Sequence, residues 1–75
     1  MNHKNKFSNY TKSQLLTAID ESIIGFKAQR NRDMVKRKLC DGLTFEEIAE
    51  EFAMSVRQTK TIIYEQELKI VKYLE

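Results

Sequence analysis

Two helix-start signatures stand 11 residues apart in this chain, Thr44-x-x-Glu47 and Ser55-x-x-Gln58. In each, the first hydroxyl can accept the backbone N–H three residues on. The acidic or amide side chain at that third position can reach back to the first residue's own N–H. Leu43 before the first cap and Ile48 within the helix add a hydrophobic staple. One long helix has no use for a second start. The spacing therefore predicts a helix of about two turns from Thr44, a turn at Phe52, Ala53 and Met54, and a new helix from Ser55, which is a helix-turn-helix layout.

The rest of the chain reads as helix too. There is no proline, there are only two glycines, and no alternating run is long enough for a strand. Met1 to Tyr10 is polar and basic and reads as a flexible arm, with the domain at 11–75 and the motif at 44–64. A first helix starts at Thr11, which pairs with Gln14 as T-x-x-Q, with Ser13 a rival cap. Leu15, Leu16, Ile19, Ile23 and Phe26 recur at helical spacing, and Gly25 offers a left-handed stop. A second helix starts near Asn31 with Asp33 in its first turn, carries Met34, Val35, Leu39 and Cys40 inward, and ends at Gly42.

At 75 residues the chain forms one domain and buries only about 60% of its unfolded surface. A single cysteine and a single histidine supply neither a disulfide nor a metal staple, so no cofactor or metal is expected. One unpaired cysteine and the lack of any long apolar run point to a cytoplasmic protein without a membrane partner. Cys40 reads as a small hydrophobe and His3 as solvated, while Glu46, Glu47, Glu50 and Glu51 read as a wet helix face. No nucleophile, base and oxyanion donor can be assembled, so an enzyme is not expected.

Net charge is only +2, but it is unevenly placed. Residues 27–38 hold Lys27, Arg30, Arg32, Lys36, Arg37 and Lys38 against Asp33, whereas residues 41–51 hold five acids and no base. A basic stripe beside an acidic block suits a phosphate-facing surface and an opposite one, although charge on exposed helices is also common for its own sake. In the helix from Ser55, Val56, Thr59 and Ile63 fall inward, and Arg57, Gln58, Lys60, Thr61 and Tyr64 fall outward. That outward chemistry fits a major groove: Arg pairs with guanine, Gln with adenine, and Lys, Thr and Tyr hold phosphates. The N–H groups at Ser55 offer an anion a helix N-terminus. Ala49 is the small residue needed where the two helices pass closely.

The run Gly42-Leu43-Thr44-Phe45-Glu46-Glu47-Ile48-Ala49-Glu50, with Met54-Ser55-Val56 and Lys60, resembles the helix-turn-helix of bacterial sigma-factor region four over roughly residues 30–64. The resemblance implies a four-helix module whose second motif helix reads a promoter element. Arg57, Gln58, Lys60 and Thr61 would touch DNA, and Val56 and Ile63 would stay in the core. The helix before the motif, with Arg37 and Lys38, would lie near the duplex backbone. This chain departs from the pattern at Ala53 for the turn glycine, Thr59 for a buried valine and Ile62 for an arginine, and in Glu65 and Glu67 beyond Tyr64. Without the other sigma domains, it is similar to small stand-alone proteins of this fold from phages and mobile elements.

The reading is thus an all-α bundle of about four helices with a helix-turn-helix and a long C-terminal helix. Its expected function is sequence-specific double-stranded DNA binding in transcription regulation, through Ser55, Arg57, Gln58, Lys60, Thr61, Tyr64, Arg37 and Lys38. The alternative is a protein-interaction adaptor that engages RNA polymerase or a phage assembly component. The apolar tail, with Ile63, Leu68, Ile70, Val71, Tyr73 and Leu74, either folds onto Leu15, Ile19 and Ile23 or pairs with a second copy as a homodimer.

Overall fold

A computed structural model describes residues 7–75. Helix α1, Lys12–Ser22, starts where the T-x-x-Q signature places it. Thr11 Oγ1 accepts the Gln14 N–H at 3.1 Å, and Gln14 Oε1 accepts the Thr11 N–H at 2.8 Å, so Thr11 and not Ser13 is the cap. The helix buries Leu15, Ala18 and Ile19 and stops at Ile23, which is extended (φ −99°, ψ 100°) yet buried. Gly25 has positive φ (+94°), but the helix has already ended before it.

Helix α2, Ala28–Leu39, begins three residues earlier than Asn31, the expected cap. Its N-cap is Lys27, left-handed at φ 60° and without a side-chain cap. Asn31 lies inside the helix, and its Oδ1 accepts from Arg30 Nε and Nη2 at 3.1 and 2.9 Å. A longer-range contact accompanies the early start: Arg32 Nε donates to the Ile23 carbonyl at 2.7 Å and ties the α1–α2 turn to α2. Phe26 does not join the α1 face. It is 88% exposed, and Ile24 beside it is exposed as well.

Helix α3, Phe45–Glu51, carries the full capping box: Thr44 Oγ1 accepts the Glu47 N–H at 3.1 Å and Glu47 Oε1 accepts the Thr44 N–H at 2.8 Å. Its end is a Schellman turn. The Met54 N–H donates to the Ala49 carbonyl at 3.0 Å and the Ala53 N–H to the Glu50 carbonyl at 3.3 Å, with Ala53 left-handed at φ 55°. Helix α4, Val56–Leu74, then starts under Ser55, whose Oγ accepts the Gln58 N–H at 3.0 Å. Two helices separated by Phe52, Ala53 and Met54 therefore stand where the spacing of signatures puts them.

The core has two clusters. Phe7, Leu15, Ala18, Ile19, Ile23, Val35 and Ile70 form one, and Met34, Ile48, Ile62 and Ile63 form the other, with Leu43, Phe45, Phe52 and Met54 packed around it. Adjacent residues of α2 serve both, because Met34 and Val35 point about 100° apart around the helix. Helix α4 runs past both clusters, with Gln66 and Glu67 buried between Ile63 and Ile70. The tail folds onto its own chain: Ile70 sits with Leu15, Ile19 and Ile23, and Val71 and Leu74 pack against them, while Leu68 and Tyr73 stay exposed.

The flexible arm expected to reach Tyr10 is corrected over residues 7–10. Phe7 is 3% exposed in the core, and the Tyr10 N–H donates to its carbonyl at 3.1 Å. One aromatic in a polar stretch has no period to reveal it. The rest of that arm, with His3, Lys4 and Lys6, lies outside the described residues.

Candidate nucleic-acid interface

Residues 55–64 of the expected site sort cleanly by burial. Ser55, Arg57, Gln58, Lys60, Thr61 and Tyr64 are exposed, whereas Thr59, Ile62 and Ile63 are buried and Val56 is half-buried. At 100° per residue, Arg57, Thr61 and Tyr64 line one meridian of α4, with Lys60 and Gln58 on either side. Thr61 Oγ1 donates to the Arg57 carbonyl at 3.1 Å, which leaves its hydroxyl oxygen outward as an acceptor. Free N–H groups at the start of a 19-residue helix add a partial positive charge under Ser55.

Three departures from the sigma-like pattern have physical accounts. Thr59, fully buried, places its hydroxyl on the Ser55 carbonyl at 2.8 Å, so a polar group in a valine position is satisfied locally. Ile62 is 9% exposed and packs in the second cluster, so that position faces inward here. Glu67 is 8% exposed and points into the molecule, so of the two acids beyond Tyr64 only Glu65 is on the surface.

The basic stripe of α2 is largely engaged within the chain. Lys36 pairs with Asp20 at 3.3 Å, Arg32 holds the Ile23 carbonyl, and Arg30 holds Asn31. Arg37 is turned to Glu51, with Nη2 3.0 Å from Oε2, and to Asp41 at 3.9 Å. Its guanidinium is thus engaged by Glu51 of α3 and by Asp41. Lys38 is different. Its Nζ lies 4.5 Å from the centre of the Phe45 ring, and Lys60 Nζ lies 5.6 Å from the same centre. Tyr64 meets that ring edge-on, centroids 5.5 Å apart at 74°.

The structure therefore brings Lys38, Lys60 and Tyr64 together around Phe45, with Arg57, Gln58 and Thr61 on the adjoining surface. Phe45 is the member absent from the residues that the sequence places at the interface. Apolar periodicity gives no signal for a half-buried ring at the first position of a helix, where one edge faces the core and the rest meets side chains from two other helices.

Elsewhere the chemistry is sparse. Burial raises the Cys40 thiol pKa, against the lowering effect of Lys12. Among the described residues no group of three or more His, Cys, Asp or Glu is placed to hold a metal ion, and no helix is long and apolar enough to cross a membrane. Comparisons of the chain with protein-family models, curated proteins and solved structures return no match.

Proposed function

We propose that the chain binds double-stranded DNA sequence-specifically and regulates transcription, through a helix-turn-helix of the sigma region-four kind from a bacterium, phage or mobile element. One observation carries this reading: α4 restarts at Ser55 directly after the Schellman turn and presents Arg57, Gln58, Lys60, Thr61 and Tyr64 outward while Thr59, Ile62 and Ile63 anchor it. Arg57 and Gln58 have the donors to read base edges, and Lys38, Lys60 and the α4 N-terminus have the charge to hold phosphates.

The test is an anisotropy titration of the chain against random and candidate promoter duplexes at two salt concentrations. Binding weakens as salt rises, because phosphate contacts release counterions. Arg57→Ala weakens it by about 10-fold, the scale of one good base contact, and Lys60→Ala by about 3- to 10-fold as a phosphate contact, with helical content and melting unchanged. Absence of binding at low salt overturns the proposal. The adaptor reading then takes its place, favoured by Ile24 and Phe26, two large apolar side chains held outward on the α1–α2 turn.

A further inference from the structure

We infer that Phe45 is a positioning residue that gathers Lys38 of α2 and Lys60 of α4 into one phosphate clamp, so that the two ammonium groups hold the duplex backbone as a unit. The inference rests on the DNA-binding reading and names the part of that surface that grips the phosphodiester chain.

Two cations from different helices repel each other, and nothing in the spacing of Lys38 and Lys60 requires them to converge. They do so on one ring, at 4.5 and 5.6 Å from its centre. The negative face of an aromatic ring attracts each ammonium and partly offsets their repulsion. Neither lysine has an ion pair among the described residues, whereas their neighbours Lys36 and Arg37 each have a carboxylate. Two unneutralised cations oriented by one ring offer a phosphodiester chain two points of attachment. The ring is itself fixed: Phe45 follows the Thr44 cap, packs against the Met34–Ile48–Ile63 cluster and meets Tyr64 edge-on at 5.5 Å. Long lysine side chains lose much rotamer freedom on binding, and a ring that already orients them reduces that loss.

The expected chemistry is recognition of phosphodiester without base preference, alongside Arg57 and Gln58. It predicts coupling. In the native chain Lys60→Ala lowers duplex affinity by about 3- to 10-fold and the salt slope by about 0.9, the value for one phosphate contact. In a Phe45→Leu background, which keeps the apolar plug and removes the ring, the same change costs less than about 2-fold, because the clamp is already loose. Phe45→Tyr keeps the π face and restores the full effect. Arg57→Ala costs the same factor in every background. Equal losses for Lys60→Ala in native and Phe45→Leu chains overturn the inference and leave DNA binding standing. Should Phe45→Leu not fold, the Lys38→Ala and Lys60→Ala cycle decides: non-additive losses support a shared site and additive ones overturn it.

A second arm separates this inference from the DNA reading. Inorganic pyrophosphate is titrated into the native chain while the Phe45 ring resonances are followed. If no duplex binds, a ring shift that is lost in the Lys38→Ala/Lys60→Ala chain still supports the clamp. Absence of both duplex binding and ring shift overturns it.

Discussion

The guanidinium of Arg37 closes on the carboxylate of Glu51, 14 residues along the chain, with Nε 3.1 and 3.0 Å from the two oxygens. This contact ties α2 to α3 across the Gly42–Thr44 connection. It also removes one charge from the stripe that sequence alone offers to phosphate. Arg37 and Lys38 should therefore separate in experiment, although they are adjacent. Arg37→Ala is expected to cost about 0.5–1 kcal/mol of stability, the upper part of the range for partly exposed pairs, and to leave the salt slope of duplex binding nearly unchanged. Lys38→Ala should do the reverse. Urea unfolding and anisotropy on the same two variants check this, and an equal drop in slope for both would sink it.

Ala53 occupies a left-handed position, φ 55°, in the turn between α3 and α4. A β-carbon there costs about 1–2 kcal/mol. Ala53→Gly removes that strain and adds about 0.4–1 kcal/mol of unfolded-state entropy, so a net gain near 0.5 kcal/mol is expected. That corresponds to a melting point higher by about 2–4 °C in a domain of this size. Gly42 is the mirror case. Its φ is +74° and a β-carbon would meet nothing within 4 Å, so Gly42→Ala should lose a net of about 0.5 kcal/mol, the backbone strain less the unfolded-state entropy that alanine removes. A drop in melting point for Ala53→Gly would contradict the account of the turn.

The motif was legible because its signals are local. Thr44, Glu47 and Ser55 make their caps within three residues, and such bonds depend little on the rest of the chain. Inward and outward faces of α4 were legible for the same reason, since helical period alone separates Thr59 and Ile63 from Arg57 and Thr61. What was not legible depends on distant partners. The start of α2 answers to Arg32 and Ile23, nine residues apart, and overrides a good cap at Asn31. Phe7 is buried by contacts with α1, α2 and α4 that no local pattern announces. Phe45 gathers Lys38 and Lys60 from elements on either side of it, which only the assembled fold brings together.

Burial pushes the Cys40 thiol up, and Lys12, the next largest influence, only partly opposes it. A raised pKa means that the folded chain holds the thiol proton more tightly than the unfolded chain does. This contribution to stability is full below the unfolded thiol pKa and is lost as pH rises through the folded one, so it fades only in alkaline solution. The thiolate is the nucleophile, and it is scarcer in the fold. Iodoacetamide at pH 8 should therefore modify Cys40 more slowly in the native chain than in urea, because its thiolate fraction is reduced in the fold. Equal or faster reaction in the native chain would refute this.

Ile70 is fully buried among Leu15, Ile19, Ile23 and Val35 of its own chain. Ile70→Ala should cost about 2–5 kcal/mol, a large part of the roughly 4–11 kcal/mol that a domain of this length has in total. Leu68 and Tyr73 lie on the exposed side of the same helix, and alanine there should change stability by about 0.5 kcal/mol or less. Because the buried contacts are intrachain, the melting temperature should not depend on protein concentration. A dimer built on the tail behaves otherwise: its melting temperature rises with concentration, and Leu68→Ala rather than Ile70→Ala becomes the change that abolishes the rise. Melting curves of the native and Leu68→Ala chains across a 100-fold range, about the span needed to see mass action, distinguish the two arrangements, since only an interface between copies responds to dilution.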